Sequence, residues 1–222
     1  MRRFFRENAL SLVLFFPFFC ASLTGQILAG YREDNSDRQE HGQPPVSYGE
    51  YLRGEHFWEA TTENWESEFL QMFLYVVLTA FLVQKGSSES KKPDEPNEVD
   101  RDPRLSRDKK DAPWPVRRGG VILRLYENSL SLTFLLLFLL TFYLHAVHGM
   151  GNYNEEQALH GQPGVSLAGY LSSARFWFES FQNWQSEFLS IWAMVVFSIY
   201  LRQRGSPESK PVDSPHSETG SG

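Results

Sequence analysis

Cysteine is almost missing from this chain: among 222 residues Cys20 is the only one. A single thiol cannot close an intramolecular disulfide, complete a CxxC zinc site or form a dithiol redox pair, so a membrane thiol oxidoreductase is excluded. Also missing are a phosphate-binding loop, a GxSxG nucleophile elbow, an HExxH metal motif and any nucleic-acid-binding motif. No nucleophile–base pair, phosphate cradle or complete metal set can be assembled. The expectation is a protein without catalysis, with no metal, no cofactor and no nucleic-acid partner. Charge is missing too, but only locally. Ala9–Ala29 and Ser129–Val147 hold no Asp, Glu, Lys or Arg.

Those two stretches, with shorter apolar runs at Phe69–Val83 and Phe188–Leu201, alternate with segments dense in charge, proline and glycine. The net charge of −6 averages over this alternation and says little. About 20 apolar residues in a helix cross a hydrocarbon layer of roughly 30 Å. The pattern therefore predicts a polytopic, all-α membrane protein. The start, "MRRFFRENALSLVLFFPFFCAS", has the basic head and apolar middle of a signal peptide. Its apolar run continues through Leu23, Ile27 and Leu28, past a usual cleavage point, and the expectation is a retained first helix.

The chain repeats itself. Residues 41–91 set against 160–210, at a constant offset of 119, agree at 25 of 51 positions. The agreement includes "HGQP", "YL", "FW", "NWxSEFL" and "GSxESK", and upstream "ENALSL" at 7–12 matches "ENSLSL" at 127–132. Self-similarity of this kind marks a duplicated structural unit. The first repeat, 1–91, is expected to hold transmembrane helices at about 8–29 and 57–84 around an outer loop, 30–56. The second, 120–210, is expected to hold helices at about 127–148 and 176–202 around a loop, 149–175. A flexible charged linker, 92–119, and a disordered tail, 211–222, complete the expected order, because neither has enough apolar surface to fold alone.

Lysine and arginine set the orientation. Arg2, Arg3 and Arg6 precede the first helix, eleven Lys/Arg lie in 85–124, and Arg202, Arg204 and Lys210 follow the last helix. The loops are poor in them: 30–64 has three Arg against eight acids, and 149–183 has Arg175 alone against three. Both termini and the linker are predicted to be cytoplasmic. Two hairpins inserted the same way round form a parallel internal repeat.

The fourth apolar run has 14 residues, about 21 Å of helix, which is too short to cross alone. Arg202 and Arg204 close its cytoplasmic end, so the helix must extend backward through Glu187, Ser186 and Trp184; the second run needs Glu68, Ser67 and Trp65 likewise. Asn64, Ser67, Glu68 and Gln71 fall at i, i+3, i+4 and i+7, one helical face, and Asn183, Ser186, Glu187 and Ser190 repeat it. A lipid-facing charge at mid-membrane costs about 2.5–3.5 kcal/mol, so the carboxylates are expected to face inward, near each other. Two readings stand. The stripe is a paired-carboxylate ion or proton site, or it is packing and anchoring, with acids suiting a helix start and Trp the interface.

"HGQPxVSxxxYL" places His41 and Gln43, with His160 and Gln162, ahead of a Gly and Pro turn. Ser47 and Glu50 then write a capping box for a short helix. Two histidines paired across a two-fold are an incomplete metal site, and a turn-stabilising role is expected. Glu7-Asn8 and Glu127-Asn128 are expected to be a first-turn acid and an Asn cap. With "RENALSL", "HGQPPVSYGEYL", "ENWESEFLQM" and "QKGSSESK" on view, the chain resembles a family of short bacterial integral-membrane proteins known only as a domain of unknown function. The resemblance covers both repeats and leaves out the linker. It implies a bacterial inner membrane and carries no activity, substrate or cofactor. The functional expectation is a structural or interacting membrane protein, whose partners are the lipid bilayer and a homo-oligomer or another membrane protein. The alternative is a small transporter or ion-conducting protein using Glu68 and Glu187.

Overall fold

A computed structural model describes residues 2–220; Met1, at the start of the first repeat, and Ser221-Gly222, at the end of the tail, lie outside the described residues. Every regular element among the described residues is helical. In chain order they are α1 (Arg2–Glu7), α2 (Ala9–Glu40), α3 (Tyr48–Tyr51), α4 (Glu55–Phe81), α5 (Trp114–Arg118), α6 (Gly120–Glu127), α7 (Ser129–Leu159), α8 (Leu167–Leu171) and α9 (Ala174–Tyr200). Two of them, α2 and α7, are long and apolar enough to cross a membrane. The chain divides into two compact units: Met1–Thr62 with Leu144–Phe176, and Glu63–Tyr143 with Trp177–Gly222.

Apolar composition correctly marks helix, but it does not mark where helix stops. The first loop was expected to begin at residue 30 and the second at 149, yet α2 runs to Glu40 and α7 to Leu159. Charged side chains solvate a helix without breaking it, and Asp34 and Arg38 pair at i, i+4 with 3.0 Å between them. Termination waits for "HGQP". His41 Nδ1 lies 2.8 Å from the Asp37 carbonyl and His160 Nδ1 2.9 Å from that of Glu156, so each imidazole donates to the last turn. Gly42 (φ 69°) and Gly161 (φ 67°) then take the left-handed conformation. The amides of Gln43 and Gln162 close back on Arg38 and Gln157 carbonyls, and proline follows. Each histidine thus joins the hydrogen bonding that ends its helix.

Within α2 the segment Leu14–Cys20 opens into a wide π turn around Pro17. Proline has no N–H to donate and its ring crowds the carbonyl four residues back, so the helix widens there instead of running on regularly. Asn8 does not cap α2 with its side chain. Its amide donates backward to the Phe4 carbonyl, and Asn128 does the same to Arg124, so each asparagine closes the short helix before it.

In the first unit the elements pack around aromatic rings. Tyr51 and Phe57 are buried with centroids 5.7 Å apart, and Tyr170 and Phe176 are buried 5.6 Å apart. Asn35 brackets Val46, accepting its amide at 2.7 Å, and Asn154 does the same for Val165 at 2.6 Å. Ser47 and Glu50 form the capping box of α3. The Ser47 amide donates to Glu50 at 2.7 Å, and that bond chiefly holds the Glu50 carboxyl below its usual range.

In the second unit the linker and tail take defined turns where flexibility was expected. Short 3-10 turns form at Glu98–Asp100 and Pro103–Ser106. Lys210 is buried, and its ammonium donates to the carbonyls of Gly86 (2.5 Å), Glu218 (2.8 Å), His216 (3.0 Å) and Pro215 (3.3 Å). Burial lowers its pKa, Arg202 pushes the same way and Glu218 opposes. These segments are ordered by side-chain-to-backbone hydrogen bonds, which apolar content does not reveal.

Candidate functional site

The polar stripe lies within the second unit, inside α4 and α9, which begin at Glu55 and Ala174, well before Phe69 and Phe188. Gln71 Nε2 donates to the Glu187 carbonyl at 2.8 Å and to Ser190 Oγ at 3.0 Å. The two stripes therefore meet at matching positions. They are not sealed from the surface: Asn64, Glu68, Ser186 and Ser190 are exposed, Gln71, Asn183 and Glu187 half-buried, and only Ser67 is buried. Ser67, Ser186 and Ser190 each donate to a carbonyl three residues back in their own helix. Asn183 turns to Glu63, at 2.5 Å, and not to Glu187.

The deeper carboxylates are others, which sequence reasoning passed over. In the second unit Glu66 is fully buried and accepts from Trp184 Nε1 at 3.0 Å, while Glu63 takes the Asn183 amide. In the first unit Glu55 lies 2.6 Å from His148 Nδ1, and the His148 ring stacks on Trp58. Glu59, also buried, accepts from Asn152 at 2.5 Å and from the Tyr170 hydroxyl at 3.4 Å. Glu55, Glu59, Glu63 and Glu66 recur every three or four residues along α4, so they share a helical face. The second repeat has Ala174, Phe178, Gln182 and Gln185 in their places. That asymmetry between otherwise matching repeats was the available signal.

The "HGQP" turns line a cavity of about 720 Å³ in the first unit, with Asp34, Arg38, His41, His56, His160 and Arg175 among its walls. The rings of His41 and His160 meet edge to face at 5.8 Å. Gln43 accepts from Arg38 at 3.4 Å, and Gln162 is exposed outside the cavity. Arg175 pairs with Glu156 and Arg38 with Asp34, so most of the lining charge is matched within the wall. The buried His56 Nδ1 takes no hydrogen bond among the described residues. Among the described residues no three His, Cys, Asp or Glu side chains are grouped to hold a metal ion. The cavity offers hydrogen bonds and mixed charge.

The family model for the domain of unknown function DUF6766 matches residues 1–221, and the chain belongs to that family. No curated protein and no solved structure matches the chain.

Proposed function

We propose that this member of the DUF6766 family is a four-pass protein of a bacterial inner membrane, a non-enzymatic structural or interacting component built from two tandem hairpins with both termini cytoplasmic. The observation that supports the structural reading over the transport one is the pairing of the α4 carboxylates. Glu55 meets His148, Glu59 meets Asn152 and Tyr170, Glu63 meets Asn183, and Glu66 meets Trp184. Every donor comes from the second repeat. A carboxylate held this way joins helices at low dielectric and is a poor carrier of protons or ions, which must leave as readily as they arrive.

The four-pass reading is supported by helix length and by what the helices expose. α4 and α9 have 27 residues each, about 40 Å of helix, enough to cross a bilayer although their first halves are polar. Large apolar side chains are exposed on α9 as on α7, Phe197 and Trp192 with Leu136 and Leu139. Contiguous apolar exposure of that kind suits lipid contact. Reporter fusions at the termini, the linker and both outer loops test the topology. A periplasmic reading for the linker overturns it.

A second reading rests on the stripes that bring Gln71 to the Glu187 carbonyl and to Ser190, with Glu68 and Glu187 at matching positions of the two helices. Two carboxylates near the outer membrane edge, Glu68 exposed and Glu187 half-buried, are suited to collect cations or protons for conduction. Proteoliposome flux of protons and divalent cations separates the readings. Flux that falls in the Glu68→Gln/Glu187→Gln variant establishes conduction; no flux in either protein supports the structural role.

A further inference from the structure

Each long apolar helix is preceded by a short one, and the two junctions are built alike. Asn8 (φ −118°, ψ 15°) stands between α1 and α2, and Asn128 (φ −113°, ψ 10°) between α6 and α7. The side chains of Ser11 and Ser131 donate to the carbonyls of these asparagines, at 3.1 and 3.0 Å. The short helices carry arginine beside large apolar residues that the fold leaves uncovered. On α1 these are Arg2, Arg3 and Arg6 with Phe4 (59% exposed) and Phe5 (57%). On α6 they are Arg124 with Val121 (71%), Leu125 (56%) and Tyr126 (46%), and Arg117 and Arg118 end α5 just before it.

The faces of α6 are sorted. Leu123 packs into a small cluster with Val116 and Ala112, while Val121 and Leu125, at i and i+4, form an outward ridge with Arg124 at its flank. Arg2, Arg6, Arg117, Arg118 and Arg124 are all exposed, and none enters an ion pair among the described residues. Glu7, paired with Arg3, ends α1 and Glu127 ends α6, so arginine outnumbers acid three to one on α1 and, counting the end of α5, three to one around α6. A net basic helix beside an apolar ridge is complementary to an anionic, partly apolar surface.

We propose that α1 and α6, with the end of α5, are interfacial collars that dock on a bilayer surface rich in anionic phospholipid. Val121, Leu125, Phe4 and Phe5 enter the headgroup boundary, and the arginines bind lipid phosphates. The inference rests on the membrane-spanning reading of α2 and α7, whose first turns begin directly after these helices. Interfacial helices combine an apolar ridge with basic residues in this way, and guanidinium presents a fork that matches phosphate oxygens. Each basic residue near an anionic surface contributes about a fivefold shift in partitioning, so three arginines contribute on the order of a hundredfold.

The test uses the full chain with Cys20→Ser, reconstituted in vesicles of phosphatidylcholine alone or with phosphatidylglycerol. Nitroxides are placed singly through Leu125→Cys, Phe5→Cys and Leu136→Cys, and their accessibilities to oxygen and to a water-soluble nickel chelate are compared. The expected result is lipid-like accessibility at Leu136 in both vesicles. At Leu125 and Phe5 it is lipid-like in the anionic vesicles and shifts severalfold toward water in phosphatidylcholine or high salt. R117Q/R118Q/R124Q releases Leu125 alone, and the corresponding lysine variants keep it docked. Water-like signals at Leu125 and Phe5 with Leu136 still in lipid overturn the proposal and leave the spanning reading intact. Equal docking in both vesicles overturns the recognition of anionic headgroups. A water-like Leu136 overturns the spanning reading itself.

Discussion

Two equivalent glycines offer a discriminating test of the packing in the first unit. A Cβ added at Gly30 would stand 2.0 Å from the Tyr51 hydroxyl oxygen and 3.1 Å from Cζ. Tyr51 is buried and walled by Tyr31, His56 and Phe57, with centroids 6.1, 6.0 and 5.7 Å away, so its ring has nowhere to swing. Replacing a helical glycine by alanine gains about 0.5–1 kcal/mol of backbone entropy, whereas overpacking a filled site costs about 1–3 kcal/mol. The clash wins, and Gly30→Ala is expected to destabilise by about 1–2 kcal/mol. Tyr51→Phe removes the atom at 2.0 Å and leaves the one at 3.1 Å, which neighbours absorb by a few tenths of an ångström. The double variant therefore returns to within about 0.5 kcal/mol of Tyr51→Phe alone, a coupling typical of residues in contact. At Gly149 the added methyl would meet the Tyr170 hydroxyl at 2.5 Å, but also Cε1 and Cζ, each at 2.9 Å. There the ring itself is the obstacle, so Tyr170→Phe gives no comparable rescue. Thermal unfolding in detergent reads the cycle, at roughly 2–4 °C per kcal/mol for a chain of this size. Additive effects at Gly30, or equal rescue at both glycines, would refute the reasoning.

Other consequences follow from the same structure. Glu66→Gln keeps an acceptor for the indole of Trp184 and should cost little, whereas Glu66→Leu strands that donor and should cost about 1–3 kcal/mol, read by the same melts. Asn35→Ala and Asn154→Ala each break a two-way bracket, to Val46 and to Val165, and losses of similar size, about 1–3 kcal/mol, are expected. Loss at only one site would show that the brackets are not equivalent. Lys210→Met empties the carbonyl cage, so residues 211–220 should become cleavable by limited proteolysis while the helices resist; an unchanged cleavage pattern counts against the latch. The Glu50 carboxyl is held below its ordinary value of 4.5, so its capping contribution is fully present above that pH and is lost as pH falls through the lowered value. The protection of the Ser47 amide against hydrogen exchange, taken relative to its intrinsic rate at each pH, should be high at pH 6 and fall once Glu50 is protonated, and Glu50→Gln should remove that pH dependence.

Much of the fold was legible because its signals are local. Apolar runs announced the helices, the start of α4 came within two residues of the expected 57, and that of α9 within two of 176. "HGQP" stops a helix through bonds that span no more than five residues. Where expectation and structure part, composition had stood in for geometry. The change from apolar to charged residues after Ala29 and His148 does not end a helix, because a helix with paired charges passes through it unbroken. The tail beyond Lys210 has few apolar residues, yet backbone carbonyls close on one ammonium.

The stripe of Asn64, Ser67, Glu68 and Gln71 could be drawn from spacing, and so could its partner at Asn183, Ser186, Glu187 and Ser190. Matching sequence at a fixed offset suggested that they meet. Whether a carboxylate is buried, and which donor it takes, was beyond that reach. His148 is 93 residues from Glu55, Asn152 is 93 from Glu59, and Trp184 is 118 from Glu66. Hydrophobic periodicity carries the sign of a helix face and the length of a span, since both depend on neighbours within a turn or two. The choice of hydrogen-bond partner depends on which helices approach and at what register, and only the packed chain decides that. Sequence alone thus marked the helices and the self-similarity of the two halves; the tertiary structure decided how far α2 and α7 run and that Glu66 and Glu59 are the buried acids while Glu68 remains at the surface, because desolvation is a property of the packed neighbours and not of the residue.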